Sequence, residues 1–218
     1  MIAPSATIVR DDFMSGDTVN LAAGRFNVLN LSYGWVDVGG MDVGSLTFDP
    51  QESSIISYGS SGAAFISKSA GNSSTAAGQI AVGAIDHDGN QDYLGAALIG
   101  GQSVVFVGAL STNGTTSNQA SMAGYSNIAG SDLTVQGQFL VVGVESGTTG
   151  LAGTSLAAPI VSGYAAVLSS KFDTASATTI ANRLLDTART DTIASYSAGV
   201  HGQGEACITC ALAPLAIN

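Results

Sequence analysis

The sequence predicts an α/β protein in three layers, with a mainly parallel, doubly wound sheet between helices. Three observations predict it. Short apolar runs at residues 7–9, 27–31, 63–66, 79–85, 103–107 and 139–144 read as strands. Most are continuous rather than alternating, which marks a sheet covered on both faces. Two segments read as helices, and strands interleaved with helices favour parallel pairing through crossovers. The 28 glycines, spread along the chain, supply the tight turns that such a fold needs.

Each element has a local reason. The first helix is expected over residues 154–170, where small and apolar side chains suggest burial all round. The second follows Asp173-Thr174-Ala175-Ser176, carries Ile180, Leu184 and Leu185 at helical spacing, and ends near Arg189. Ser-, Gly- and Asn-rich stretches at 111–121 and 146–150 read as exposed loops. No internal repeat or linker divides the chain, so residues 1–218 are expected to form one domain.

Composition narrows the function. Hydrophobic residues make up 45% of the 218, enough for a sizeable core. Charged residues are only 10%, a style that suits a secreted or cell-surface protein. With six Lys and Arg against a net charge of −10, no basic patch can form, which argues against nucleic acid and anionic membranes as partners. No apolar run reaches transmembrane length. No charged segment followed by an apolar one marks a leader, so any targeting segment is expected upstream of Met1. The two cysteines, Cys207 and Cys210, lack the further ligands of a zinc site and the early position of a redox motif. Two buried thiols or a local disulfide are the expected states.

The motif with chemistry is Gly153-Thr154-Ser155-Leu156-Ala157-Ala158-Pro159, continued by Ile160-Val161-Ser162-Gly163. A Gly-Thr turn delivers Ser155 to the start of a helix, where unpaired N–H groups and the positive dipole end lie. A hydroxyl there is exposed, and its own N–H can help to bind an oxyanion. Pro159 is expected in the first turn, where its missing N–H is tolerated. On physics alone, Thr154 or Ser155 could equally be a helix cap. The motif, however, closely resembles the serine motif of the subtilisin-like (subtilase) family, which implies that Ser155 is the nucleophile.

Other segments carry the resemblance further. Ser69-Ala70-Gly71-Asn72 is similar to the family's Ala-Gly-Asn motif, implying that Asn72 is the oxyanion donor. Residues 27–34 resemble the strand that walls the substrate cleft, so Ser32, Tyr33 and Gly34 are expected to pair with an extended substrate. Ser69, Ala70, Gly71 and Thr154 are expected to line the same cleft. Residues 79–86 look like the next core strand, and Tyr125-Ser126-Asn127 like the Ser-Asn turn before the serine motif. Ile2-Ala3-Pro4-Ser5-Ala6 resembles the segment that follows the family's histidine helix. The catalytic Asp and His are thus expected upstream, and the domain is expected to be N-terminally truncated.

There are departures. The helix expected before Asn27 is shrunken or lost in residues 10–25, and Val142-Gly143-Val144 replaces an Ala-Pro-Gly. The tail, residues 202–214, faintly resembles the end of protease domains in bacterial autotransporters. A serine needs a base, and three residues are candidates. His87 and His201 are expected to be surface histidines without a catalytic role. Lys68 interrupts an apolar strand, and is read either as the base of a Ser-Lys dyad or as a side chain snorkelling to a sheet edge.

Three functions follow: part of a peptide-cleaving serine endopeptidase, an esterase acting on activated or short esters without the usual triad, or a non-catalytic peptide-binding remnant. A peptide or ester is the expected substrate. No cofactor is expected, and calcium at Asp86-His87-Asp88-Gly89-Asn90 stays open. Loss of the first strand and the His helix would leave one flank of the sheet open. A second copy, an upstream fragment of the same protein, or a rearranged N-terminal segment is expected to cover it.

Overall fold

The computed structural model describes residues 2–12, 15–145, 147, 150–213 and 215–217. Met1, Phe13, Met14, Ser146, Thr148, Thr149 and Pro214, on which parts of the sequence reading fall, lie outside the described residues.

The framework is a four-stranded parallel sheet. Its members are β1 (Val28–Leu31), β3 (Phe65–Ser69), β5 (Val104–Leu110) and β6 (Phe139–Gly143), side by side in that order. Every residue of β3, β5 and β6 is buried, as their unbroken apolar runs require. A small antiparallel ribbon joins β2 (Val36–Val38) to β4 (Asn90–Asp92).

Helices cover both faces. On one lie α1 (Pro50–Ser61), α2 (Tyr93–Ala97) and α3 (Leu133–Gly137), whose Ile55, Leu94 and Val135 share a core with Ile66, Phe106 and Val141. The other face carries α4 (Thr154–Lys171) and α5 (Ala177–Asp186), which pack Val161, Leu168, Ile180 and Leu184 on Phe65, Val107 and Leu140. Residues alternate between these two cores along each strand, so the sheet is the middle layer of three. The chain ends with α6 (Ala198–His201) and α7 (Ile208–Leu212). Cys207 and Cys210 form a disulfide at the start of α7, and Arg183 and Lys171 hold that helix's carbonyls.

Several expectations are corrected. Residues 7–9 form no strand; Ile8 and Val9 are 78% and 83% exposed, on an arm that pairs with no strand among the described residues. Residues 79–86 are not the next core strand. They make one isolated bridge, Ala81 with Ile128, and turn at Gly83, whose φ is +75°. The core position beside β3 belongs to β5. Helix α1 has too few hydrophobic residues to show a helical period, yet its ends are signalled: Asp49 caps it, Pro50 opens it, and Gly62 closes it in the left-handed region. Helix α5 stops at Asp186, short of Arg189, which turns away to pair its backbone with Glu205.

Candidate active site

Strands β1 and β3 are parallel neighbours, so their carboxyl ends deliver Ser32 and Asn72 to the same side of the sheet. The amino end of α4 arrives there too, anchored where the buried Ser67 hydroxyl of β3 donates to the Ala158 carbonyl at 2.8 Å. This is the end at which open α/β sheets hold their ligands.

Gly153 sits at the N-cap of α4 with φ of +130°, a conformation for which glycine is the tolerant residue. No side chain caps the helix, so neither Thr154 nor Ser155 plays the capping role. Thr154 instead faces the β3 turn. Its N–H and its hydroxyl both donate to Asn72 Oδ1, at 2.9 and 3.0 Å, and its oxygen accepts the Gly71 N–H at 3.1 Å. With Oδ1 held by two donors, the amide orientation of Asn72 is fixed and its exposed NH₂ group is directed elsewhere. Asn127 holds the same turn from behind. Its Oδ1 accepts the N–H groups of Ser73 and Ser74, and its own N–H donates to the Gly71 carbonyl. Gly71, at φ +103°, is needed there: a Cβ would come within 2.5 Å of Asn127 Nδ2.

Ser155 is half-buried, and its hydroxyl donates to the Ser32 carbonyl at 3.0 Å. The Ser32 hydroxyl returns the contact, donating to the Ser155 carbonyl at 2.9 Å. That second bond has a cause in sequence. Pro159 lies in the second turn of α4, not the first, and its missing N–H is the one that would have bonded to the Ser155 carbonyl. Ser32 fills the place, and so ties the end of β1 to the Gly153-Thr154-Ser155 turn.

A cavity of about 200 Å³ opens beside these groups. Ser32, Tyr33, Gly34, Ser69, Ala70, Gly71, Asn72, Thr154 and Ser155 all line it. So do Lys68 and Asp92. Lys68 does not snorkel: β3 is an interior strand and Lys68 is 1% exposed. Its ammonium sits 2.7 Å from Asp92 Oδ2 and 3.0 Å from the Ser69 carbonyl. Asp92 comes from the end of β4, and its Oδ1 accepts the N–H groups of Trp35 and Gly95. The sequence reading missed Asp92. Its one signal was an Asp placed just before a short helix, the pattern of an N-cap.

The histidines lie elsewhere, and neither lines the cavity. His87 is exposed, with Nε2 3.2 Å from the Gly78 carbonyl. His201 is not a surface residue. It is buried in α6 against Tyr196, and burial pushes its pKa below the ordinary histidine value. Asp86 Oδ1 accepts the N–H groups of Asp88 and Asn90, which hold its pKa down, and no cluster of three or more metal-ligating side chains occurs among the described residues.

The chain matches the model of the subtilase family over residues 10–204. It belongs to the subtilase family. Its α/β fold, with a mainly parallel sheet, is that of the family's serine proteases. Among solved structures it is similar to the patellamide maturation protease PatA, with a TM-score of 0.57 and 23% identity over 85% of this chain and 61% of that one. The self-cleaved protease domain of PatA gives 0.54 and 21%, over 85% and 60%. MycP1 from Mycobacterium smegmatis gives 0.52 and 19%, over 85% and 50%. The likeness to these three is one of fold, and the chain spans 50–61% of their length. No curated protein matches the chain in sequence.

Proposed function

We propose that this subtilase chain is an acyl-transfer hydrolase region in which Ser155 is the nucleophile and Asn72 donates to the oxyanion. One observation carries the reading. Asn72 Oδ1 is locked by Thr154, the residue beside Ser155, so the amide N–H groups and the serine hydroxyl serve one cavity without either being used as a helix cap. As Ser155 Oγ attacks a scissile carbonyl, that oxygen gains negative charge, and the Asn72 amide together with the Ser155 N–H at the positive end of α4 stabilises it. A donor of this kind contributes about 10²–10³ in rate.

The hydroxyl proton needs a base, and the Ser32 carbonyl that now accepts it is a poor one. Lys68 is engaged by Asp92, so the Ser-Lys dyad has little support. The likeness of Ile2-Ala3-Pro4-Ser5-Ala6 to the segment after the family's histidine helix supports a site completed by an Asp and a His from outside these 218 residues. With them the parent activity is peptide-bond hydrolysis, a serine-type endopeptidase reaction.

A secreted or cell-surface bacterial location is supported by the Cys207–Cys210 disulfide, by the sparse charge, and by structural likeness to proteins described as a periplasmic assembly and a type VII secretion component.

Labelling by a fluorophosphonate tests the site. Ser155→Ala should abolish labelling, and Asn72→Ala should slow it while the fold persists by circular dichroism. Equal labelling of Ser155→Ala would overturn the assignment. Supplying an upstream fragment that holds the expected Asp and His should then bring peptide cleavage.

A further inference from the structure

The Lys68–Asp92 pair has no part in the chemistry just proposed, yet it forms one wall of the cavity that Ser155 and Asn72 share. From this pair we infer that the cavity is a specificity pocket for an uncharged carboxamide side chain, Asn or Gln, next to the scissile bond. The inference rests on the acyl-transfer reading only for the place of the bond that is cut; the recognition itself is independent of it.

An ammonium has three donors, and two of those on Lys68 Nζ are held by Asp92 Oδ2 and the Ser69 carbonyl. The third has no protein acceptor among the described residues. Asp92 Oδ1 accepts from Trp35 and Gly95, whereas Oδ2 has Lys68 alone and keeps a free lone pair. The wall therefore offers one donor and one acceptor side by side.

Three kinds of side chain can be weighed against it. A carboxylate would meet Lys68 but would also bring a like charge to Asp92. An ammonium or guanidinium would meet Asp92 and repel Lys68. The pair is neutral as a unit, so a neutral group with both a C=O and an N–H₂ satisfies both partners and leaves no charge uncompensated. An aliphatic side chain would cover the two unfilled positions without bonding to either. The space fits one side chain: about 200 Å³ is less than the 300–1,000 Å³ of pockets that hold whole small molecules.

The backbone is shaped around the pair. A Cβ on Gly34, at the end of the cleft-wall segment, would lie 2.6 Å from Asp92 Oδ2, and one on Gly95 would lie 2.9 Å from it. Glycine at both positions lets the carboxylate reach Lys68.

The test is binding of N-acetyl-Ala-Ala-Pro-X-amides to the 218-residue chain by titration calorimetry, with X as Gln, norleucine, Glu or Lys. The Gln peptide is expected to bind about tenfold tighter than the norleucine peptide, and tighter than the charged pair, as one or two well-made hydrogen bonds provide. Equal binding of Gln and norleucine, a preference for Glu or Lys, or no binding by any peptide would overturn the inference. In Lys68→Met/Asp92→Asn the ion pair is removed as a unit, and the preference should pass to norleucine. Should that variant not fold, the wild-type ranking decides alone. Fluorophosphonate labelling is measured in parallel. Labelling of Ser155 without a Gln preference sinks the pocket and spares the hydrolase; a Gln preference without labelling does the reverse.

Discussion

Two regions of the molecule draw a carboxyl group toward the interior, and they stabilise it in opposite ways. At the cleft, Asp92 pairs with the buried ammonium of Lys68. At the start of α1, Glu52 is buried beside Asp49, which caps the helix by accepting the N–H groups of Gln51 and Glu52. Among the described residues no salt bridge reaches that site. Desolvation, and then a hydrogen bond to Asp49, push the Glu52 pKa up to about 7, while that same bond and the helix amides hold Asp49 below the usual carboxylate range. One region meets burial with a counter-charge, the other by retaining a proton. The difference teaches that a buried acid need not mark a reactive group: its neighbours decide whether it acts as an ion, a proton store or a cap.

Removing one member of the ion pair should have the largest effect. Asp92→Ala leaves the Lys68 ammonium buried without its partner, and a loss of about 3–5 kcal/mol is expected in urea unfolding. A loss below about 1 kcal/mol would mean that water reaches Lys68.

The Glu52 site should reveal itself through pH. The unfolded chain releases this proton near 4.5, whereas the folded protein keeps it to about 7. Folding therefore takes up a proton between those values. The stabilisation is complete below 4.5 and fades as pH rises through 7, by about 3 kcal/mol for a shift of this size. Glu52→Gln should flatten the slope of stability against pH over that window. An unchanged slope would break the contrast between the two regions.

The smallest effect is expected where no charge is involved. Ser32→Ala removes the hydroxyl that satisfies the Ser155 carbonyl left open by Pro159, at a cost of about 1 kcal/mol by thermal unfolding. Replacing Pro159 with Ala in the same variant restores a helical N–H to that carbonyl and should recover the loss.

Legibility followed range along the chain. Strands β1, β5 and β6 and helices α4 and α5 were readable because local pattern and burial agree there. Residues 79–85 look as apolar as a strand but are turned by Gly83, and the sheet position went to a run with every residue buried. Tertiary pairing settles that choice, because an apolar run has no local mark of which neighbour it will join.

What the sequence determined by itself was the family motif, the candidate pair Ser155 and Asn72, and the layered α/β class, because each depends on residues a few positions apart. What only the tertiary structure decided was the meeting of Lys68 with Asp92, the reciprocal bonds of Ser32 and Ser155, and the lock of Thr154 on Asn72. Those contacts join residues far apart in the chain. Each needs a donor and an acceptor brought within about 3 Å, a distance that the packed sheet fixes and that no local pattern of residues encodes.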